Sequence, residues 1–302
     1  WNVHNESFFK GNKNIQLLKL RASIGYLGNM SFEPYQALTT YDYNSGLNYI
    51  LGPGSIPKSI GNPDLKWERV LSKNVGADIT LFKNRLDLTA DVYQKITDNL
   101  LLDVTKAPSI GISQAKENLG QVENRGIELQ ARVVAIQTKD WQWDLNLNWG
   151  MSRTTCESLT EGISRFTLGE TRIAKVVVSS GGKYGDIVGK AFKRDANGKI
   201  VVNASGLPEA VEDQVVGNMT PKWTGSVGSS LRYKDLTFSC LVDIRHGGEF
   251  VSVTDAYACQ QGTSSRTLKG REANDLIVVD GVTESGQANT VGVTSEVGLV
   301  VW

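Results

Sequence analysis

The sequence has little of what several functional classes require. Its 302 residues include three cysteines and two histidines, His4 and His246. Three cysteines cannot form a disulfide framework, and no cysteine or carboxylate spacing around either histidine indicates a metal site. Lysine plus arginine and aspartate plus glutamate both number 32, so binding to nucleic acid through a strongly basic surface lacks its usual support. We predict no metal, no cofactor and no nucleic-acid partner.

Long hydrophobic runs are also missing, and none approaches the roughly 18 to 20 residues that a membrane-spanning helix needs. The hydrophobic share is 40% before glycine is counted, which is ordinary for a folded chain. A transmembrane β-barrel stays open, because its membrane signal is alternation rather than bulk hydrophobicity. The chain begins at Trp1 without a methionine and stops at Trp302, and we interpret it as a piece of a longer protein.

What the sequence does have is period-two alternation. In residues 141–152, WQWDLNLNWGMS, every odd position is apolar and every even position is polar or glycine. A helix would scatter these side chains around its axis, so the pattern predicts a strand with one apolar face. Six more segments alternate in the same way, at residues 19–26, 74–81, 85–95, 126–135, 222–233 and 236–245.

The connections between these segments alternate in length. Three are short, at residues 83–84, 137–140 and 234, and four are long, at residues 28–72, 96–123, 153–220 and 248 to the end. Short turns at one end and long loops at the other are typical of a transmembrane β-barrel, whose strands cross in about 9 to 11 residues. The predicted apolar faces carry no charge, and aromatic residues concentrate near strand ends, as at a membrane interface.

The predicted fold class is therefore all-β, part of a large antiparallel transmembrane β-barrel with short periplasmic turns and long extracellular loops. A soluble β-sandwich or solenoid is the alternative, because its strands also have one apolar face. Charges on the opposite face, such as Asp78, Asp91 and Arg132, favour a barrel with a polar interior.

Several segments resemble TonB-dependent receptors of the SusC/RagA branch. Residues 61–68, GNPDLKWE, are similar to the element that precedes a barrel strand, and residues 118–128, NLGQVENRGIE, are similar to the signature that starts the next one. Residues 183–189, 194–198, 206–208, 217–225 and 243–249 resemble further family elements in the same order. The resemblance assigns a structural role to ten residues: Asn62, Pro63, Leu65, Trp67, Glu68, Gly120, Asn124, Gly126, Glu128 and Pro221.

The resemblance implies that residues 1–302 are the C-terminal portion of a 22-stranded barrel, with the plug domain and the closing strands absent from this chain. It also implies import of large nutrients, oligosaccharides or peptides, across the outer membrane of Bacteroidetes-type bacteria. The implied partners are outer-membrane lipid, a SusD-like surface lipoprotein and the TonB–ExbB–ExbD system, the last through parts outside this chain.

Catalysis has little support in the sequence. Residues 181–183 and 195–198 resemble the end of a phosphate loop and the start of a calcium loop, but other positions of both motifs are missing, so we interpret both as turns. No carboxylate pair is singled out as acid and base. Cys240 falls on an apolar strand face, while Cys156 and Cys259 fall in predicted loops. We predict that the chain is not an enzyme, and a β-sheet hydrolase is the weakest alternative.

Ligand binding is the remaining question. Tyr35, Tyr41, Tyr43 and Tyr49 lie in one long loop, where their rings could stack on sugars or peptide side chains or could instead form the loop's own core. Asp144 and Asn146 lie on the polar face, where they could meet solute or contact the plug. The alternative function is a secreted soluble all-β glycan-binding module that uses the aromatic loops.

Overall fold

A computed structural model describes residues 1–9, 14–30, 35, 37–112, 114–118, 120–159, 163–271 and 275–294. Parts of the predicted loops 28–72, 153–220 and 248–302, and Leu119 of the second motif, lie outside the described residues. The chain divides into two compact units. Unit 1 comprises residues 1–165, 179–184 and 221–247, and unit 2 comprises residues 166–178, 185–220 and 248–302.

Unit 1 is built on one antiparallel sheet of seven strands, which we call the wall. The strands are β1 (Ile15–Asn29), β2 (Glu68–Leu81), β3 (Leu86–Asp98), β4 (Gln121–Gln137), β5 (Trp141–Ser158), β6 (Trp223–Tyr233) and β7 (Leu236–His246). They pair in chain order, each with the next. All seven predicted strands are confirmed, and the three predicted short turns join β2 to β3, β4 to β5 and β6 to β7.

The register sorts the side chains of the wall into two faces. Residues directly opposite each other on paired strands project to the same side of the sheet. One such row is entirely apolar or glycine and crosses the wall through Leu20, Ala77, Ala90, Leu129, Trp149, Gly225 and Ile244. The described residues leave the apolar face uncovered, since Leu20, Val75, Val92 and Leu129 expose between 43% and 64% of their surface.

Aromatic side chains mark both ends of the apolar face. At the turn end, the rings of Trp141 and Tyr233 lie 4.4 Å apart. At the loop end, Trp223 stacks on His246 at 5.3 Å. Tyr233 is ten positions after Trp223 on β6; at about 3.3 Å per position and a tilt of about 40° the two span a height of about 25 Å. That height equals the apolar band of a transmembrane barrel, about 25 Å between its aromatic girdles.

The prediction that the long connections are loops was wrong in part, because they contain strands of their own. Thr40–Tyr49 pairs with Gly52–Ser59, and Leu101–Thr105 pairs with Gln114–Asn118. The third and fourth connections contain a four-stranded sheet and two two-stranded sheets, formed by Arg165–Glu170, Ala174–Ser179, Asp186–Phe192, Ala210–Asn218, Ile200–Val202, Gly281–Thr283, Ile277–Val278 and Gly292–Val293. Most of these strands are short, and the longer ones, Thr40–Tyr49 and Ala210–Asn218, lack the sustained alternation that predicts a strand.

Unit 2 has the more enclosed core. Val177, Ile187, Val188 and Val202 expose 3% or less of their surface. Its helix α1 (Val253–Gln260) begins after Ser252, whose hydroxyl caps the helix by accepting from the Asp255 backbone N–H at 3.2 Å. Single 3₁₀ turns occur at Val3–Asn5, Ser7–Phe9, Pro108–Ile110 and Ser265–Thr267. Within the described residues, no helix has the length and apolar character needed to cross a membrane.

Two cysteines lie elsewhere than predicted. Cys156 is in β5, since that strand runs on to Ser158, and its surface is fully buried. Cys259 is in α1 and is also buried. All three cysteines are free thiols.

Aspartate at Leu145 or Leu147 should block assembly of the wall, because both lie mid-strand on the apolar face of β5. An aspartate there costs up to about 2 kcal/mol if that face contacts hydrocarbon. Asn146→Asp changes the intervening residue on the polar face and should be tolerated. The measurement is the heat-modifiable folded band of the full-length protein in outer membranes. Equal tolerance at all three positions would contradict the face assignment.

Candidate functional site

The polar face of the wall carries an ion cluster on its first three strands. Arg21 donates from Nε and Nη2 to Asp78 at 2.9 and 3.0 Å, and also from Nη2 to Asp91 at 2.9 Å. Gly76 lies between these groups, and a Cβ there would overlap the Asp91 carboxylate and lie 2.8 Å from Arg21 Nη2. The three charged residues thus tie β1, β2 and β3 together across a glycine that leaves room for them.

Asp144 belongs to a second polar network, nearer the turn end. Gln142 donates to Asp144 at 2.7 Å, Arg232 donates to Gln142 at 2.9 Å, and Arg132 lies 3.7 Å from the Asp144 carboxylate. Asn146 is exposed in the next row, between Arg132 and Gly228. Among the described residues, Asp91 Oδ1 and Asp144 Oδ1 are buried yet accept no hydrogen bond. Asp144 Oδ1 is the atom that faces Arg132, and both acceptors are enclosed by side chains of the wall.

The four candidate tyrosines lie in the first long connection. Tyr41, Tyr43 and Tyr49 are on the strand Thr40–Tyr49 and expose 60%, 84% and 64% of their surface. Tyr35 precedes the strand, has a positive φ of 71° and is 74% exposed. Exposure on this scale means that the rings form no buried core of their own, and at least three of them are presented on one hairpin.

The structure does not bring the tyrosines to the polar-face candidates. Asn146 lies in the same cross-strand row as Thr80, and Thr80 is twelve residues along β2 from Glu68, where the tyrosine-bearing connection ends. At about 3.3 Å per residue this separation is about 40 Å. The six candidate binding residues are therefore two groups, at opposite ends of the wall strands.

Glu68 anchors the loop end of the wall. It is 7% exposed, and its carboxylate accepts from the Leu101 backbone N–H at 2.9 Å and from Asn29 Nδ2 at 2.8 Å. Asn29 ends β1, and Leu101 begins the strand that follows β3. One buried carboxylate thus joins the ends of three segments that are distant in sequence.

The two sequence motifs meet each other at the same end. Asn118 of the second motif accepts from the Lys66 N–H at 2.9 Å and donates to the Lys66 carbonyl at 2.7 Å and to the Asn99 carbonyl at 2.8 Å. Asn62 of the first motif accepts from Asp64 N–H at 3.0 Å and donates to the Lys116 carbonyl at 3.4 Å. We call this contact between residues 62–68 and 101–118 the motif junction. Asn118 was not singled out from the sequence, although it opens the second motif.

The remaining motif residues of unit 1 shape the backbone around the junction. The ring of Trp67 covers Gly28, where a Cβ would lie 3.2 Å from it, while Pro63 is exposed and Leu65 half-buried within the first motif. Gly120 has a φ of +67°, and a Cβ on it would overlap the carbonyl oxygen of Ser158. The first motif thus covers one strand end, and the second turns sharply into β4.

Within β4 the signature residues lie on the polar face. Asn124 donates to the hydroxyls of Ser152 and Thr154 at 2.9 and 2.6 Å. Gly126 lies under the ring of Tyr93, and Glu128 is exposed opposite Asp91. The last motif residue, Pro221, precedes β6, next to Lys222, whose N–H donates to the His246 carbonyl at 2.8 Å.

Unit 2 contains a separate cavity of about 580 Å³. Its apolar lining includes Ile173, Val188, Val216 and Phe250, and Phe250 is 86% exposed. Elsewhere in the unit, Lys193 donates to Glu209 at 2.7 Å and to Glu284 at 2.9 Å. These hydrogen bonds, the one to Glu209 first, raise the pKa of Lys193 above its usual value. The ammonium therefore stays charged across physiological pH.

Residues 181–183 and 195–198 are turns, as predicted. Gly182 N–H donates to the Ser179 carbonyl at 2.9 Å, and the Asp195 carboxylate accepts from Asn197 and Lys199 N–H at 2.9 and 2.8 Å. Across the residues that the structure describes, no three His, Cys, Asp or Glu side chains group as metal ligands would.

The family described as TonB dependent receptor-like, beta-barrel, matches residues 12–279, and the chain belongs to that family. It is 26% identical over 282 residues to TonB-dependent receptor P3 of Formosa agariphila, a match that covers 84% of this chain and 28% of the relative. It is 32% identical over 171 residues to TonB-dependent receptor SusC of Bacteroides thetaiotaomicron, covering 54% of this chain and 17% of SusC. The predicted SusC/RagA resemblance and outer-membrane location are confirmed.

A solved chain of the RagAB peptide transporter has the same fold, with a TM-score of 0.73 at 21% identity. The match covers 98% of this chain and 33% of that one. The chain therefore spans about a third or less of the relatives it matches, and its wall is part of an outer-membrane β-barrel.

Gly120→Ala should destabilise the barrel more than Gly181→Ala does. Both glycines have left-handed φ values, +67° and +72°, but only Gly120 faces a backbone atom at the Cβ position. An alanine with a left-handed φ costs about 1–2 kcal/mol at either position. Any further loss of stability in Gly120→Ala therefore comes from the overlap of its Cβ with Ser158. Thermal conversion of the heat-modifiable band measures both variants. Equal shifts would show that strain alone matters.

Glu68→Gln should loosen the strand Leu101–Thr105. An amide oxygen can replace one carboxylate acceptor, but the amide nitrogen is then a donor facing another donor. A buried unmade hydrogen bond costs about 1–3 kcal/mol, so exchange of the Leu101 amide should accelerate about tenfold. Hydrogen exchange with mass spectrometry measures this. The control is Glu170→Gln, which removes the same charge from an exposed residue paired with Lys175; the same acceleration in both variants would contradict the anchoring role.

Proposed function

We propose that the whole protein imports a large nutrient, an oligosaccharide or a peptide, across the outer membrane with energy from TonB. The observation that carries the proposal is the division of the wall into an uncovered apolar face and a polar face with ion clusters. Such a wall separates lipid from an aqueous or plugged interior. Membership in the TonB-dependent receptor family supports the same reading.

The polar face supports a role as the lining of the plug or of the passage. The single positive charge of Arg21 is shared by two carboxylates, Asp78 and Asp91, so this cluster keeps one negative charge on the polar face. We propose that a plug outside this chain packs against this face, and that the exposed Asn146, with Asp144 beside it, serves this contact.

The exposed tyrosines support substrate capture at the loop end. Tyr41 and Tyr43 alternate on one strand and therefore project to the same side of their hairpin, exposing 60% and 84% of their surface. Tyrosine offers a flat apolar ring with a polar tip, which suits both sugar faces and peptide side chains. We propose that a SusD-like lipoprotein closes over this end, and that TonB–ExbB–ExbD acts through segments outside this chain.

The test uses the native bacterium. A strain lacking the gene should grow poorly on one class of polymer fragment, oligosaccharide or peptide, and the full-length gene should restore growth only while TonB is functional. Growth that does not depend on TonB, or a soluble 33 kDa product in place of an outer-membrane band, would overturn the proposal. The second result would favour a secreted glycan-binding module.

Two substitutions of Tyr43 should show whether its ring or its hydroxyl contributes more to substrate capture. Tyr43→Ala removes a ring that is 84% exposed, so little fold stability depends on it, and uptake of labelled substrate should fall severalfold. Tyr43→Phe keeps the ring and should keep most uptake. If alanine at this position leaves uptake unchanged while the protein reaches the membrane, the hairpin does not bind substrate.

A further inference from the structure

Basic residues interrupt the apolar face of the wall four or five residues before β2, β4 and β5 reach their loop ends. Along β2 the outward positions Leu81, Ile79, Ala77 and Val75 are followed by Lys73. Along β4 and β5, the apolar Ile127 and Met151 are followed by Arg125 and Arg153. Because these residues alternate with their neighbours, all three basic side chains project from the apolar face.

The register places these three residues in one row. Lys73 lies opposite Gln94, Gln94 opposite Arg125, and Arg125 directly opposite Arg153. Like charges directly opposite on paired strands are destabilising. Arg125 Nε pairs with Glu123 at 2.7 Å, but neither Lys73 nor Arg153 forms a salt bridge with any residue that the structure describes. The row therefore carries a net positive charge, which would stabilise a bound anion.

An open groove of about 1130 Å³ joins this basic row to the apolar face below it. Below the basic row the groove is lined by apolar residues, among them Val75, Val92 and Ile127, whereas Ile24 lies within the row, opposite Lys73. Glu123 and Thr155 line its upper part. The aromatic Tyr26, 66% exposed and 5.3 Å from the Arg69 guanidinium, lies further toward the loops on β1. The groove is thus amphipathic along the direction of the strands.

We propose that this groove binds a phosphorylated glycolipid of the outer leaflet, with its acyl chains on the apolar rows and its phosphate held by Lys73, Arg125 and Arg153. The inference rests on the outward orientation of the apolar face in the proposed function. A phosphate would relieve the repulsion between Arg125 and Arg153, because guanidinium groups donate paired hydrogen bonds to phosphate oxygens. It also accounts for basic side chains at a position that faces lipid, just outside the hydrocarbon.

The test compares two doubly substituted full-length proteins. Lys73→Gln with Arg153→Gln removes two positive charges from the row and leaves the Arg125–Glu123 pair intact. The control, Lys95→Gln with Lys139→Gln, removes two charges from the polar face of β3 and from the turn after β4. Native mass spectrometry then counts retained lipid after exchange into nanodiscs with lipid A, dephosphorylated lipid A or phosphatidylglycerol.

The wild type and the control should retain lipid A, and the row variant should bind it at least about tenfold more weakly. Removal of the phosphate from lipid A should weaken its binding to the wild type by a similar factor. Equal retention by row variant and control would overturn the proposal. Equal retention of phosphatidylglycerol and lipid A would overturn the assignment to a glycolipid. A heat-modifiable band for each variant shows that the barrel is intact, so loss of lipid is separable from loss of the proposed import function.

Discussion

The rest of the structure depends on the register that binds seven strands edge to edge. Within such a sheet, the backbone N–H and C=O groups of each interior strand hydrogen-bond to its neighbours. A non-helical segment can cross the hydrocarbon core only if these groups are paired in this way. Because the pairing is continuous from β1 to β7, the alternation on each strand adds up to one apolar face and one polar face. A slip of one residue in any pair would move an entire strand's apolar set to the wrong side.

The two ends of the wall differ in how the strands are connected. At the turn end, tight connections and the Trp141–Tyr233 pair close the strands with little chain. At the loop end, the connections are long, and hydrogen bonds of Glu68 and Asn118 in the motif junction hold them to one another and to the strand ends. The junction thus explains the spacing of the family motifs: they are separated by about fifty residues in sequence and are in contact in space. It also holds the base of the segment that presents the exposed tyrosines.

The strands were predictable because alternation is a local signal that a lipid-facing wall repeats on every strand. Residues 141–152 alone indicate a strand with its two faces, and the structure extends it only at the loop end, where Arg153 breaks the apolar pattern. Because of this extension, Cys156 lies in β5 and not in the predicted loop. The short strands of unit 2 and the partners of Glu68 were not predictable, because they depend on which distant segments meet. Nor could the sequence reveal that Asp144 and Tyr43 lie near opposite ends of the wall.

The central claim is that the apolar face of the wall contacts lipid and the polar face contacts water or a plug. Spin labels at positions 146 and 147 of the full-length protein, in native outer membrane, test it most directly. The account predicts that a label at 147 relaxes with oxygen, which concentrates in hydrocarbon, and that a label at 146 is not reached by oxygen from the lipid. A label at 146 that behaves as lipid-exposed, with 147 shielded from oxygen, would contradict the account.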